Sequence, residues 1–134
     1  MISRRRAWLL TASMIATFVI VRTALYFSPD TDFNIGAYNV HHLFTGILLI
    51  TLCGIASVLC RSETRATRAA TIGFGVGLSL ALDEWVYLIV TDGSNASYLL
   101  PISFIGGALM VGAGCFYVLL LCWIGKEKAS DSLR

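Results

Sequence analysis

The chain has 134 residues, of which 57% are hydrophobic and only 13% are charged, and its mean hydropathy is +0.77. A soluble domain of this length carries about a quarter charged residues, so the composition excludes an ordinary soluble domain. Because the chain is this hydrophobic, we expect membrane lipid as a partner. The formal net charge of only +2 gives no indication of nucleic-acid binding, and we expect no nucleic-acid partner.

Four apolar runs follow one another along the chain, and each can cross a hydrocarbon core, which takes roughly 20 apolar residues. Each run is predicted to be a helix, because backbone polar groups without partners are intolerable in lipid, and the alternation of a membrane barrel is absent. The predicted helices are residues 7–27, 39–60, 69–91 and 98–124. Residues 1–134 are thus predicted to form one all-α domain, a four-transmembrane-helix bundle.

The first helix follows three arginines, Arg4, Arg5 and Arg6, and contains one further cation, Arg22. We expect this helix to be retained, because no suitable small-residue cleavage site follows it. A charge inside a membrane helix is costly and normally faces the bundle interior. Arg22 is therefore predicted to pair with Asp83 or Glu84 of the third helix.

The second and third helices carry four titratable groups in the same half of the bilayer as Arg22. His41 and His42, the only histidines, begin the second run in "VHHLFTG", and Asp83 and Glu84 interrupt the third in "ALDEW". We predict that these five residues converge on a polar pocket, to which the fourth helix adds Tyr98 and Ser103.

Small residues predict which of these groups point inward. Helical spacing places Gly73 and Gly77 on the face of Glu84, and Gly46 and Cys53 on the face of His42. Because small-residue faces are packing faces in membranes, Glu84 and His42 are predicted to approach within roughly 3–6 Å, directly or through water. Asp83 and His41 are each rotated about 100° away, so we expect them in supporting positions or facing a neighbouring copy in a homo-oligomer.

The basic residues predict the orientation of the bundle. Nine of the ten Lys and Arg residues lie before the first helix, between helices two and three, or after helix four. Four crossings put all nine on one side, which the positive-inside rule makes cytoplasmic. The sequence therefore predicts a multi-pass protein of the inner or plasma membrane with both termini in the cytoplasm.

Three chemistries fit the candidate site. His41, His42, Asp83 and Glu84 are ligand types that suit zinc, iron or manganese. Alternatively, His42 and Glu84 form a catalytic acid/base pair supported by Asp83, His41 and Arg22, acting on a lipid-type substrate. The third possibility is a non-enzymatic membrane component, an assembly partner or an oligomeric ion or proton pathway, in which the charges form structural ion pairs.

The segment from "VHHLFTG" to "GFGVGLSLALDEW" resembles a family of small bacterial four-helix membrane proteins. The family combines a His-His-x-x-x-Gly motif with a glycine-rich helix that ends in Leu-Asp-Glu. The resemblance covers roughly residues 38–92 and implies that the motif positions are His41, His42, Gly46, Gly75, Asp83 and Glu84. It implies a shared architecture and no particular activity.

Overall fold

A computed structural model describes residues 3–28, 34–35, 38–39, 41–60 and 63–131 of the chain. Its elements in chain order are α1 (Arg4–Phe27), β1 (Asn34–Ile35), β2 (Tyr38–Asn39), α2 (His42–Leu59), α3 (Arg65–Val90), α4 (Asn95–Tyr98) and α5 (Pro101–Asp131). The two short strands pair antiparallel. Apart from these strands the described elements are helices, and the prediction of four helices long and apolar enough to span a membrane is confirmed.

The helices begin at different residues from those predicted, for local chemical reasons. α1 begins at Arg4 because the Ser3 hydroxyl accepts a hydrogen bond from the Arg6 backbone N–H. α3 begins at Arg65, where Thr64 and Thr67 form a reciprocal capping box.

The predicted fourth helix is two helices, the short α4 and the spanning α5. α5 begins at Pro101. The N–H of the first residue of a helix has no partner within the helix, so proline, which lacks this N–H, is well suited to that position. The separate α4 ends at Tyr98, the residue at which the single helix was predicted to start.

α3 is the central helix, and it packs against α1, α2 and α5. Met14 of α1 packs with Val111 and Cys115 of α5 in a small apolar core. Most other large apolar side chains are exposed on the outer surface of the bundle, as expected where lipid is the solvent.

Helix directions follow from the contacts. Gly75 of α3 lies against Leu10 of α1, and Ser79, one turn later, donates to the carbonyl of Met14, so α1 and α3 run in the same direction. The contacts of α2 and α5 show that both run antiparallel to them. We call the end that carries Arg4 and Arg65 the basic end. The end that carries His42 and Tyr98 is the opposite end.

Candidate functional site

The candidate site lies where α2 crosses α3 near the opposite end of the bundle. A Cβ atom on Gly46 would lie 2.7 Å from the carbonyl oxygen of Gly77, and one on Gly77 would lie 2.7 Å from the carbonyl oxygen of Gly46. Neither position admits a larger residue without displacing backbone. This contact fixes the register of the two helices and brings Glu84 to the N-terminus of α2.

Glu84 is buried, with 1% of its surface exposed, although it carries a carboxylate. One carboxylate oxygen accepts the backbone N–H of Leu43, the second residue of α2. The first four N–H groups of a helix have no partner within the helix, and the positive end of the helix dipole favours an anion. His41 precedes α2 but makes no side-chain cap, so Glu84 of α3 provides the cap instead.

The other carboxylate oxygen of Glu84 faces both histidines. His41 Nδ1 lies 3.2 Å from Glu84 Oε1, a hydrogen-bond distance, and His42 Nε2 lies 3.5 Å from the same atom. The imidazoles are partly exposed, at 26% for the His41 side chain and 30% for that of His42. His42 Nε2 is buried without a hydrogen-bond partner in the described part of the chain. One buried carboxylate therefore serves two accessible imidazoles.

Asp83, the neighbour of Glu84, faces a different side of α3 and pairs with Arg22. Asp83 Oδ1 accepts from Arg22 Nε at 2.9 Å and from Arg22 Nη2 at 2.7 Å. Both side chains are buried, with 8% exposure for Arg22 and 2% for Asp83. α5 approaches them closely because position 107 is glycine, whose Cβ would collide with the Asp83 carboxylate.

Arg22 also donates to the backbone of the segment that leads into α5. Nη1 donates to the Tyr98 carbonyl at 2.9 Å, and Nη2 lies 3.1 Å from the Ser103 carbonyl. The guanidinium stacks on the Tyr98 ring, 4.0 Å from its centroid. A buried charge with these partners has little capacity left to bind a substrate.

Tyr98 lies between Asp83 and His42. Its hydroxyl donates to Asp83 Oδ2. Its ring packs edge-on against His42, with centroids 5.5 Å apart, and against Tyr87 at 5.1 Å. The Arg22–Asp83 pair and the His–Glu84 group are thus neighbours separated by one phenol.

The position of Tyr98 is set by the turn that leads into α4. Asp92 accepts hydrogen bonds from the Ser97 hydroxyl and from the Ser94 backbone N–H, the latter at 3.0 Å. These hydrogen bonds lower the pKa of Asp92 to about 2, and the bond from Ser97 contributes most. An ionised Asp92 therefore holds the turn in place at neutral pH.

The structure places the five residues that the sequence singled out in two neighbouring groups, Arg22 with Asp83, and His41 and His42 with Glu84. The predicted pairing of Arg22 with Asp83 is confirmed, and so is the predicted approach of His42 to Glu84. Of the two alternatives expected for Asp83 and His41, a supporting position or contact with a neighbouring copy, the structure shows supporting positions within this chain. Asp83 is buried inside one chain, and His41 reaches inward because it precedes the first turn of α2, so the 100° helical rotation does not apply to it.

Three contributors escaped the sequence analysis: the Leu43 backbone N–H, Tyr87 and Gly107. A backbone donor has no sequence signal, although a helix start opposite a buried acid is a hint of one. Tyr87 lies one helical turn from Asp83 and could have been found by that spacing.

Within the described residues no group of three or more His, Cys, Asp or Glu side chains is arranged to hold a metal ion. Asp83 is hydrogen-bonded to Arg22, and Tyr98 lies between this pair and the other three predicted ligands.

The chain matches no family model, no curated protein and no solved structure.

Proposed function

We propose that the chain is a membrane-embedded acid/base enzyme that acts on a lipid-type substrate, with His41 and Glu84 as its central pair. The observation that carries the proposal is the buried Glu84 carboxylate, which orients two partly exposed imidazoles. In general-base catalysis the base is usually oriented by a hydrogen bond to another side chain, as the Glu84 carboxylate orients the imidazoles here.

His41 is the better base. An ionised carboxylate only accepts hydrogen bonds, so the His41 nitrogen next to it, Nδ1, carries the proton. Nε2 of the neutral ring then holds the lone pair and can take a proton from water or from a substrate hydroxyl. The positive charge that develops on His41 is stabilised by Glu84, and His42 supplies a second imidazole 3.5 Å from the same carboxylate.

Arg22 and Asp83 have a structural role in this proposal. Arg22 donates hydrogen bonds to Asp83 and to the backbone carbonyl of Tyr98. The two opposite charges make the pair neutral overall. Tyr98 then keeps the pair apart from the histidines.

A proton or ion pathway is less favoured. Between Arg68 and Asp83, α3 has no titratable residue, and neither α1, the part of α2 after His42, nor the apolar span Pro101–Gly125 of α5 contains an Asp, Glu, His or Lys. A pathway that crosses the membrane would need further polar groups there.

The orientation belongs to the same proposal: the basic end faces the cytoplasm, and the site opens towards the outer leaflet of the inner or plasma membrane. The clustering of nine basic residues supports this orientation through the positive-inside rule. A substrate reaching the site from that leaflet is a lipid or a lipid-linked molecule.

The test is lipid turnover by the purified protein in vesicles of a total bacterial lipid extract, followed by mass spectrometry. We expect H41N to lower turnover about 10²–10⁴-fold, because asparagine keeps the hydrogen bond to Glu84 and removes the base. E84Q should lower it comparably, since an amide oxygen can still accept the Leu43 N–H but the charge is lost.

The control is E63Q, the same chemical change at a half-exposed carboxylate of the basic end, which should leave turnover unchanged. Wild-type protein that converts no lipid, or converts it as fast as E84Q does, would contradict the proposal.

A further inference from the structure

A cleft of about 380 Å³ opens between α1, α2 and α3 at the basic end, far from the candidate site. Its walls are apolar or small, with Leu10, Gly54, Val58 and Phe74 among them, and Arg6 lies at its edge. The volume falls within the ~300–1,000 Å³ of small-molecule sites. An apolar cleft with one cation at its edge matches an amphiphile with an anionic head.

Arg6 is incompletely paired. Its Nε lies 2.8 Å from Glu63 Oε1 without hydrogen-bond geometry, and in the described part of the chain its buried Nη2 has no hydrogen-bond partner. Arg68 lies one helical turn before Thr71, a residue that lines the cleft, and its buried Nε also has no hydrogen-bond partner among the described residues. A buried guanidinium N–H without a hydrogen-bond partner destabilises the folded protein, and an acceptor bound there would remove that penalty.

The charge around the cleft selects an anion. Residues 3–10 and 63–74, which include the α1 and α3 walls of the cleft, carry Arg4, Arg5 and Arg65 besides Arg6 and Arg68, and one carboxylate, that of Glu63. A rotation about the last side-chain bonds of Arg6 would turn Nη2 towards the cleft. A phosphate there would receive charge-assisted hydrogen bonds, while an acyl chain occupied the apolar walls.

We infer that this cleft binds one anionic phospholipid, with the phosphate on Arg6 and Arg68 and an acyl chain between α1, α2 and α3. The site is independent of the His41–Glu84 chemistry and would persist if that chemistry were absent. It would anchor α2, which packs mainly on α3, to the first helix through a lipid.

The experiment counts lipids retained by the purified protein in native mass spectrometry. Phosphatidylglycerol and phosphatidylcholine with identical acyl chains are offered in mixed micelles. We expect one phosphatidylglycerol to be retained at least about tenfold more strongly than phosphatidylcholine, and R6Q to abolish that preference.

The matched control is R4Q, which removes the same charge from the same arginine run. Arg4 lines a separate cleft of about 300 Å³ with Trp8 and Trp123, so R4Q should keep the preference within twofold. Equal loss in R4Q and R6Q would overturn the site in favour of diffuse attraction.

Two further measurements use wild-type protein and so give a result even if R6Q does not fold. Inorganic phosphate and glycerol phosphate, added at millimolar concentration, should not displace the retained lipid, because they lack the acyl chain. Displacement by either would mean a phosphate site without a lipid. Equal retention of both phospholipids would also overturn the inference.

Discussion

At the scale of single residues, Arg22 and Asp83 form the buried charge pair on which α1, α3 and α5 meet. Removing one member of a buried pair leaves an uncompensated charge and costs about 3–5 kcal/mol, whereas removing both is often close to neutral. We therefore expect R22M and D83N each to destabilise the protein strongly, and the double variant to recover part of the loss.

Unfolding in detergent followed by circular dichroism measures these free energies, and the double-mutant cycle gives the coupling. If the two single losses simply add in the double variant, the pair does not stabilise the fold.

Glu84 combines a cap with an orienting role, and one substitution separates them. In E84Q the amide oxygen can still cap α2, but the amide NH₂ then faces His41 Nδ1, which must become an acceptor. We expect the neutral His41 ring to change tautomer, from Nδ1–H in wild type to Nε2–H in the variant. Nitrogen-15 NMR of histidine-labelled protein distinguishes the two forms, and E63Q is the control. An unchanged tautomer would show that Glu84 acts as a cap alone.

At the scale of helices, the crossing of α2 and α3 depends on the Gly46–Gly77 contact. In G77V the new side chain would meet Gly46 and Leu49, so the helices must separate, at a cost of about 1–3 kcal/mol. Separation would also lengthen the distance from Glu84 to His41.

The control is G112V, because a Cβ at Gly112 meets nothing within 4 Å. Thermal unfolding should place G77V well below wild type and G112V close to it. Equal effects of the two substitutions would contradict this account of the crossing.

The turn before α4 gives a pH prediction. The lowered pKa of Asp92, about 2 against an ordinary 3.8, means that its ionised form stabilises the folded state. That contribution is complete above the unfolded pKa and is lost as the pH falls towards 2. The difference in Tm between wild type and D92N should therefore be constant above about pH 5 and shrink below pH 4. A difference that persists to pH 2 would exclude Asp92 as its source.

At the scale of the whole molecule, the proposed orientation is tested by reporter fusions. Fusions after Glu63 and at the C-terminus should report the cytoplasm, because both positions lie in basic segments, and fusions after Asp32 and Asp92 should report the opposite side. Asp32 lies outside the described residues. A cytoplasmic signal at Asp92 would contradict four crossings with both termini inside.

The number of membrane helices could be predicted from the sequence because it depends on local properties. Twenty apolar residues in lipid have no alternative to a helix, whatever their neighbours are. The ends of the helices were less predictable: Tyr98 belongs to a separate short helix, a result of side-chain hydrogen bonds and of the proline at position 101.

The sequence by itself determined that Arg22 needs a partner and that the small-residue faces carry His42 and Glu84, since both follow from the cost of burying charge and from helical spacing. Only the tertiary structure decided which acid Arg22 takes. Asp83 and Glu84 are adjacent and chemically alike, so the choice depends on which side of α3 faces α1 and which faces the first turn of α2. The role of His41 was decided in the same way, because a residue before a helix is placed by the chain around it and not by helical periodicity.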